Sequence, residues 1–241
     1  MASPLSKRPA GRDIGRIAGA AVFDRAALPR VLPFLVYLAF ILLADVLGRL
    51  GFAPAELRWL YTVKIVAVLA VLLACRRHYT ELSGPLPGVA ALATAVVAGV
   101  VVLVLWISLN ASWMQIGSSS GFDPRVDGAI DWSLVAIRIG GAALVVPVME
   151  ELFWRSFLLR WIEAADFLRV DPARVKTKAF IVTVLLFGVE HTLWLAGMVA
   201  GAVYTLLYMR SRSLWIPIVA HGVTNGLLGA WIISTGHWTY W

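Results

Sequence analysis

The sequence predicts an all-α protein, a polytopic transmembrane bundle of about seven spans, and three observations predict it. Of the 241 residues, 60% are hydrophobic and only 15% are charged, whereas about a quarter of a soluble domain is charged. The apolar residues gather into runs near the length needed to cross about 30 Å of hydrocarbon. The basic residues fall on alternate sides of those runs: 16 of the 21 lysines and arginines lie on one predicted face, the pattern of cytoplasmic loops. The formal net charge of +7 therefore follows topology, and no nucleic-acid partner is expected.

In chain order, residues 1–30 form a basic tail carrying Lys7, Arg8, Arg12, Arg16, Arg25 and Arg30, and residues 31–241 form the membrane-embedded domain. The first apolar run is too long for a secretory signal and lacks its small-residue cleavage pattern, so it is retained as a span. Spans are expected near 31–48, 59–75, 86–108, 132–154, 179–194, 196–209 and 214–235. Arg76 and Arg77, the stretch from Arg155 to Lys178, and Arg210 with Arg212 continue the basic face. This puts the protein in the cell inner membrane, multi-pass, with its N-terminus cytoplasmic and its C-terminus outside. Trp59, Trp106, Trp113, Trp132, Trp194, Trp238 and Trp241 fall at predicted outer ends, where amphipathic rings settle. Arg138, two turns inside the fourth span, reads as snorkelling to the outer interface or as one half of an internal ion pair. The single cysteine, Cys75, excludes an internal disulfide and a multi-cysteine metal site.

Three polar strings interrupt this pattern: EELFWR at 150–155, FGVEH at 187–191 and HGVTN at 221–225. Each unpaired ion near a bilayer centre costs roughly 2.5–3.5 kcal/mol on insertion scales, so their presence needs a reason. Glu151 and Arg155 stand at i, i+4 and read as an intrahelical ion pair. The same spacing puts Phe187 with His191, and His221 with Asn225, on single helix faces. Counting the helical rise from each span's end places Glu150, His191 and His221 at a common depth in the half nearer the basic face. A shared site reached by water and an extended peptide from that face is expected. Gly197 with Gly201 and Gly222 with Gly226 form two GxxxG faces for close helix approach. Pro147 removes a backbone donor three residues before Glu150 and loosens that span.

A carboxylate near an imidazole suits a general base that deprotonates water, and His221 with Asn225 suits stabilisation of an oxyanion. The same residue types could hold zinc through two histidines and a carboxylate. No HExxH string is present, so no metal or other cofactor is expected. GSSSG at 117–121 matches G-x-S-x-G in letters only, because it sits in an outer loop without a strand-turn-helix context.

EELFWR, FGVEH and HGVTN, in that order on three spans, resemble the pattern of the CAAX-processing and bacteriocin-processing membrane proteases, which include the type II CAAX prenyl endopeptidases. The resemblance covers roughly residues 130–230. It implies an intramembrane glutamate-dependent endopeptidase in which Glu150 and His191 activate water, His221 and Asn225 hold the oxyanion, and Glu151 and Arg155 structure the site. The longer strings EELFWRSFLLRWIE and FGVEHTLWLAG are most similar to the bacterial CAAX protease-related subset found with exosortase-type systems. The implied partners are the lipid bilayer and a peptide or protein substrate, lipidated or membrane-anchored substrates among them. Glu190 is additional to the family pattern. A zinc protease using the same residues, and a non-catalytic membrane binding or immunity-type protein, are the competing readings.

Overall fold

A computed structural model describes residues 26–119 and 121–241; most of the basic tail, residues 1–25, lies outside the described residues. The fold is an all-α membrane bundle. Its helices are α1 (Leu28–Arg49), α2 (Arg58–Cys75), α3 (Val89–Ser108), α4 (Trp132–Trp161), α5 (Thr177–Val189), α6 (Trp194–Ser211) and α7 (Trp215–Thr235). Five of them, α1 to α4 and α7, are long and apolar enough to cross a membrane. With 13 residues, α5 is the short member. A two-stranded hairpin, β1 (Arg125–Val126) and β2 (Ala129–Ile130), precedes α4. Its turn is Asp127-Gly128, both with positive φ, the backbone that a tight two-residue hairpin demands. Asp131 then caps α4 by accepting from the backbone N–H groups of Ser133 and Leu134, satisfying donors that the first turn leaves free.

Three span boundaries differ instructively from expectation. At the fifth the helix ends at Val189 where 194 was expected, so His191 stands in the turn beyond it and not on a helix face with Phe187. The third span starts at Val89 and not at 86, since Pro85 and Pro87 hold the chain extended. The fourth runs on to Trp161 where 154 was expected, so Arg155 and Arg160 are not part of a solvated basic loop. Both are buried. Arg160 and Arg30 instead share the carboxylate of Glu81: Arg30 Nε donates at 2.7 Å and Arg160 Nη2 at 3.1 Å, with Ser156 as a third donor. Phe167 lies 5.5 Å from both guanidinium groups. This cluster joins the start of α1, the α2–α3 connection and the end of α4 at the basic face. Burial opposes ionisation of Glu81, but hydrogen bonds and charge from Arg30, helped by Ser156, hold its carboxyl below the ordinary value of 4.5.

At the centre, α7 packs against α3, α6 and the middle of α4, while α1 pairs with α2 and α5 with α6. Small residues set these distances. Gly197 of α6 lies on the backbone of Gly188, and Gly201 on the ring of Phe187, so the first GxxxG face closes the α5–α6 pair. Gly222 faces the Ala143 carbonyl, which a Cβ there would meet at 2.7 Å. Gly99 does the same for α3, leaving no room for a Cβ against the Ala220 carbonyl and Val223.

Helix α4 is not regular. π-helical turns at Gly141–Val145 and Leu152–Leu158 flank the α-helical Val146–Glu151 segment. Pro147 supplies the cause of the first: it has no N–H to donate back, and its ring crowds the preceding turn. The wider turn turns the Ala142 carbonyl toward α7, where Asn225 Nδ2 donates to it at 2.9 Å.

Candidate active site

Glu150, His191, His221 and Asn225 line one cavity of about 280 Å³. They arrive from the α-helical segment between the two π turns of α4, the turn after α5, and the middle of α7. Glu151 and Arg155 stand behind them and do not line the cavity. Both are fully buried.

The two adjacent carboxylates have opposite surroundings. Glu151 Oε1 accepts from Arg155 Nη1 at 3.0 Å and from His221 Nδ1 at 3.1 Å, and Arg155 also donates to the Gly201 carbonyl and lies 4.3 Å from the Phe187 ring centre. The intrahelical pair expected from the spacing is therefore present, and it also orients a histidine on another helix. Glu150 makes no hydrogen bond with any described residue, although its Oε2 is enclosed. Glu150 nevertheless lines the cavity.

Each histidine is fixed through Nδ1. Phe187 O is an acceptor only, so His191 Nδ1, at 2.7 Å, donates to it and Nε2 is left as an acceptor in the neutral ring. The same argument applies to His221, whose Nδ1–H is taken by the Glu151 carboxylate. Its Nε2 accepts when the ring is neutral and donates when it is an imidazolium. Asn225 uses one amide N–H on Ala142 O and keeps a second. Among the described residues, no group of three His, Cys, Asp or Glu side chains is placed to hold a metal ion.

Three further site residues had no role in the site as read from the sequence: Tyr204 was not singled out, Thr224 lies unassigned inside the HGVTN string, and Trp106 was read only as an interfacial ring. Tyr204 stacks on His221, ring centres 4.9 Å apart, and its hydroxyl donates to Thr224 Oγ1 at 2.8 Å. Thr224 in turn donates to the carbonyls of Gly99 and Ala220. Trp106 meets His191 edge-on at 5.2 Å. A tyrosine or threonine inside an apolar span looks like packing until its hydroxyl partner is known. Glu190 is exposed at the end of α5 and does not bond His191.

The site was expected to open toward the basic face, whereas the lining of its cavity runs on toward the other face. The cavity wall continues through Trp106 near the far end of α3, Arg138 two turns inside α4, and Tyr240 and Trp241 beyond the end of α7. A neighbouring cavity lined by His191, Thr192, Ser119 and Tyr240 extends the same way. Met149, Glu151, Leu152, Arg155 and Tyr208 do not line the cavity and are each 2% exposed or less. Equal depth along separate helices gave no information on which end their shared cavity opens. Arg138 forms no ion pair among the described residues; Tyr61, Phe122 and Trp241 surround it.

Residues 132–227 match the family described as type II CAAX prenyl endopeptidase Rce1-like. The matched stretch contains all six polar residues above and the whole of both π turns. No curated protein and no solved structure matches the chain.

Proposed function

We propose, from the match of residues 132–227 to the type II CAAX prenyl endopeptidase Rce1-like family, that the chain is an intramembrane glutamic endopeptidase with Glu150 as its general base. The observation that carries this reading is the contrast between the paired carboxylate of Glu151 and the unpartnered carboxylate of Glu150 in one cavity with two oriented histidines.

In the proposed reaction Glu150 takes a proton from water that also donates to His191 Nε2. The resulting hydroxide attacks the carbonyl carbon of the scissile peptide, and the oxyanion accepts hydrogen bonds from the second N–H of Asn225 and from the His221 imidazolium. Collapse breaks the C–N bond, and Glu150 returns its proton to the leaving amine. A peptide or protein is the substrate class; lipidated or membrane-anchored chains fit a cavity walled by spans. We place the enzyme in the inner membrane with its N-terminus cytoplasmic, following the basic residues. Single cysteines at Ser6 and Thr239 in a Cys75→Ser background test this, and labelling of position 6 in intact cells by an impermeant reagent would reverse the orientation.

The mechanistic test is Glu150→Gln, which keeps shape and hydrogen bonding but removes the proton acceptor. Turnover of peptides cut by the wild type is expected to fall by roughly 10²–10⁴. Asn225→Ala is expected to cost roughly 10²–10³ in kcat with KM little changed. Activity lost to a chelator and restored by zinc would replace this mechanism with a metal-assisted one.

A further inference from the structure

Among the described residues three arginines within or beside the spans are buried, each matched with polar acceptors, and a fourth, Arg138, is half-buried within α4. Arg30 and Arg160 share Glu81, and Arg155 has Glu151 and the Gly201 carbonyl. Arg138 differs. Its guanidinium lies 4.4 Å from the ring centre of Phe122, 4.7 Å from Tyr61 and 5.6 Å from Trp241, yet it donates no side-chain hydrogen bond to any described residue. Lys64 repeats the arrangement one turn away on α2, with Nζ 3.9 Å from the Tyr37 ring centre and 5.0 Å from Tyr61. It too lacks a carboxylate among the described residues. The acid that shares a cavity wall with them, Asp45, is bonded to Arg49 at 2.8 Å.

Aromatic faces stabilise a cation by about 0.5–2 kcal/mol but accept none of the five N–H donors of a guanidinium. Simple snorkelling would carry the head group away from the protein to the interface. Here three rings hold it inward, at the junction of the Glu150 cavity and a second cavity of about 510 Å³ between α1, α2 and α4. A planar fork of donors held by stacked rings fits an oxyanion in two-point contact. In an unmodified peptide, the groups of that kind are carboxylates. Arg138 and Glu150 are twelve residues apart on α4, roughly 18 Å of rise, which about five residues of extended chain would span.

We propose that Arg138 and Lys64 form a carboxylate-binding subsite at the mouth of the Glu150 cavity, holding the terminal or side-chain carboxylate of a peptide about five residues from the bond that is cut. The distance to a cut bond rests on the protease reading; the carboxylate site itself does not.

The test uses full-length Glu150→Gln protein in phosphatidylcholine nanodiscs, with fluorescein-labelled randomised decapeptides as the probe. One mixture ends in a free acid, and a second is amidated and free of Asp and Glu. The acid mixture is expected to bind roughly tenfold more tightly by anisotropy, and Arg138→Gln with Lys64→Gln is expected to remove that preference. Equal binding of the two mixtures by the unsubstituted subsite overturns the proposal whatever the variants do, and so does a preference that survives both substitutions. Repeating the measurement with phosphatidylglycerol in the disc distinguishes the other source of an oxyanion: lipid retained only when Arg138 and Lys64 are present, with no peptide preference in either disc, makes the site a headgroup site and overturns the peptide assignment. Cleavage by the wild type without an acid preference removes the subsite and leaves the protease reading intact. An acid preference with no cleavage of any peptide does the reverse.

Discussion

At the scale of single residues, two neighbouring glutamates have opposite surroundings: among the described residues one has partners and the other has none. This gives paired predictions. Glu151→Gln leaves the Arg155 guanidinium buried without its carboxylate and weakens the hold on His221, which is expected to cost about 3–5 kcal/mol and to lower the thermal midpoint in detergent. Glu150→Gln breaks no bond among the described residues, so its midpoint is expected to stay level or rise while activity is lost. Equal destabilisation by the two substitutions would mean that Glu150 is structural. Glu81 supplies a pH dependence outside the spans. Its carboxyl is held below 4.5 in the fold, so its contribution is complete above that pH and disappears as pH falls through the lower folded value. The thermal midpoint is expected to drop below about pH 4.5 in the wild type, and Glu81→Gln is expected to flatten that slope, with a lower midpoint at neutral pH.

At the scale of elements, close approach is concentrated at a few glycines, and neighbouring glycines can be told apart. Gly99→Ala pushes a Cβ into the Ala220 carbonyl, and because backbone cannot swing aside, a loss of about 1–3 kcal/mol is expected. Gly140 has open space where a Cβ would go, so Gly140→Ala is expected to gain about 0.5–1 kcal/mol from helix propensity. Thermal shifts of the two variants in opposite directions check both. Much of this level was legible beforehand. The seven helices, the GxxxG closure of α5 on α6 and the Glu151–Arg155 pair follow from hydropathy and spacing alone. The π turns were only half legible: Pro147 signals a disturbance, but whether it kinks, breaks or widens a helix depends on what receives the freed carbonyl, here Asn225 from another span. Arg155 and Arg160 were assigned to a basic loop because a positive charge after an apolar run resembles a span end. The sequence-distant carboxylate of Glu81 accounts for the burial of Arg160, while Arg155 is held by Glu151 one turn back on the same helix. The direction in which the cavity extends was not legible at all, since it depends on side chains from α1, α2, α3 and the C-terminal segment that carry no shared motif.

At the scale of the whole molecule, the bundle contains helices of unequal reach. Helix α4, with 30 residues, rises roughly 45 Å, whereas α5, with 13, rises roughly 20 Å. The hydrocarbon of a bilayer is about 30 Å thick, and α5 presents Ile181, Leu185, Leu186 and Val189 outward. Lipid tails against that face would have to shorten or splay to match it, so an elastic dimple is expected in the surrounding leaflet beside the turn that bears His191. Compressing a thick bilayer costs more than compressing a thin one. Reconstituted into phosphatidylcholines of decreasing chain length, the protein is expected to become more stable as the bilayer thins. A preference for the thickest bilayers would show that α5 tilts or sinks with no deformation around it. Within a cell the same elasticity would draw the protein to thin or fluid regions, and would bring the polar surface of the membrane down toward the reacting groups.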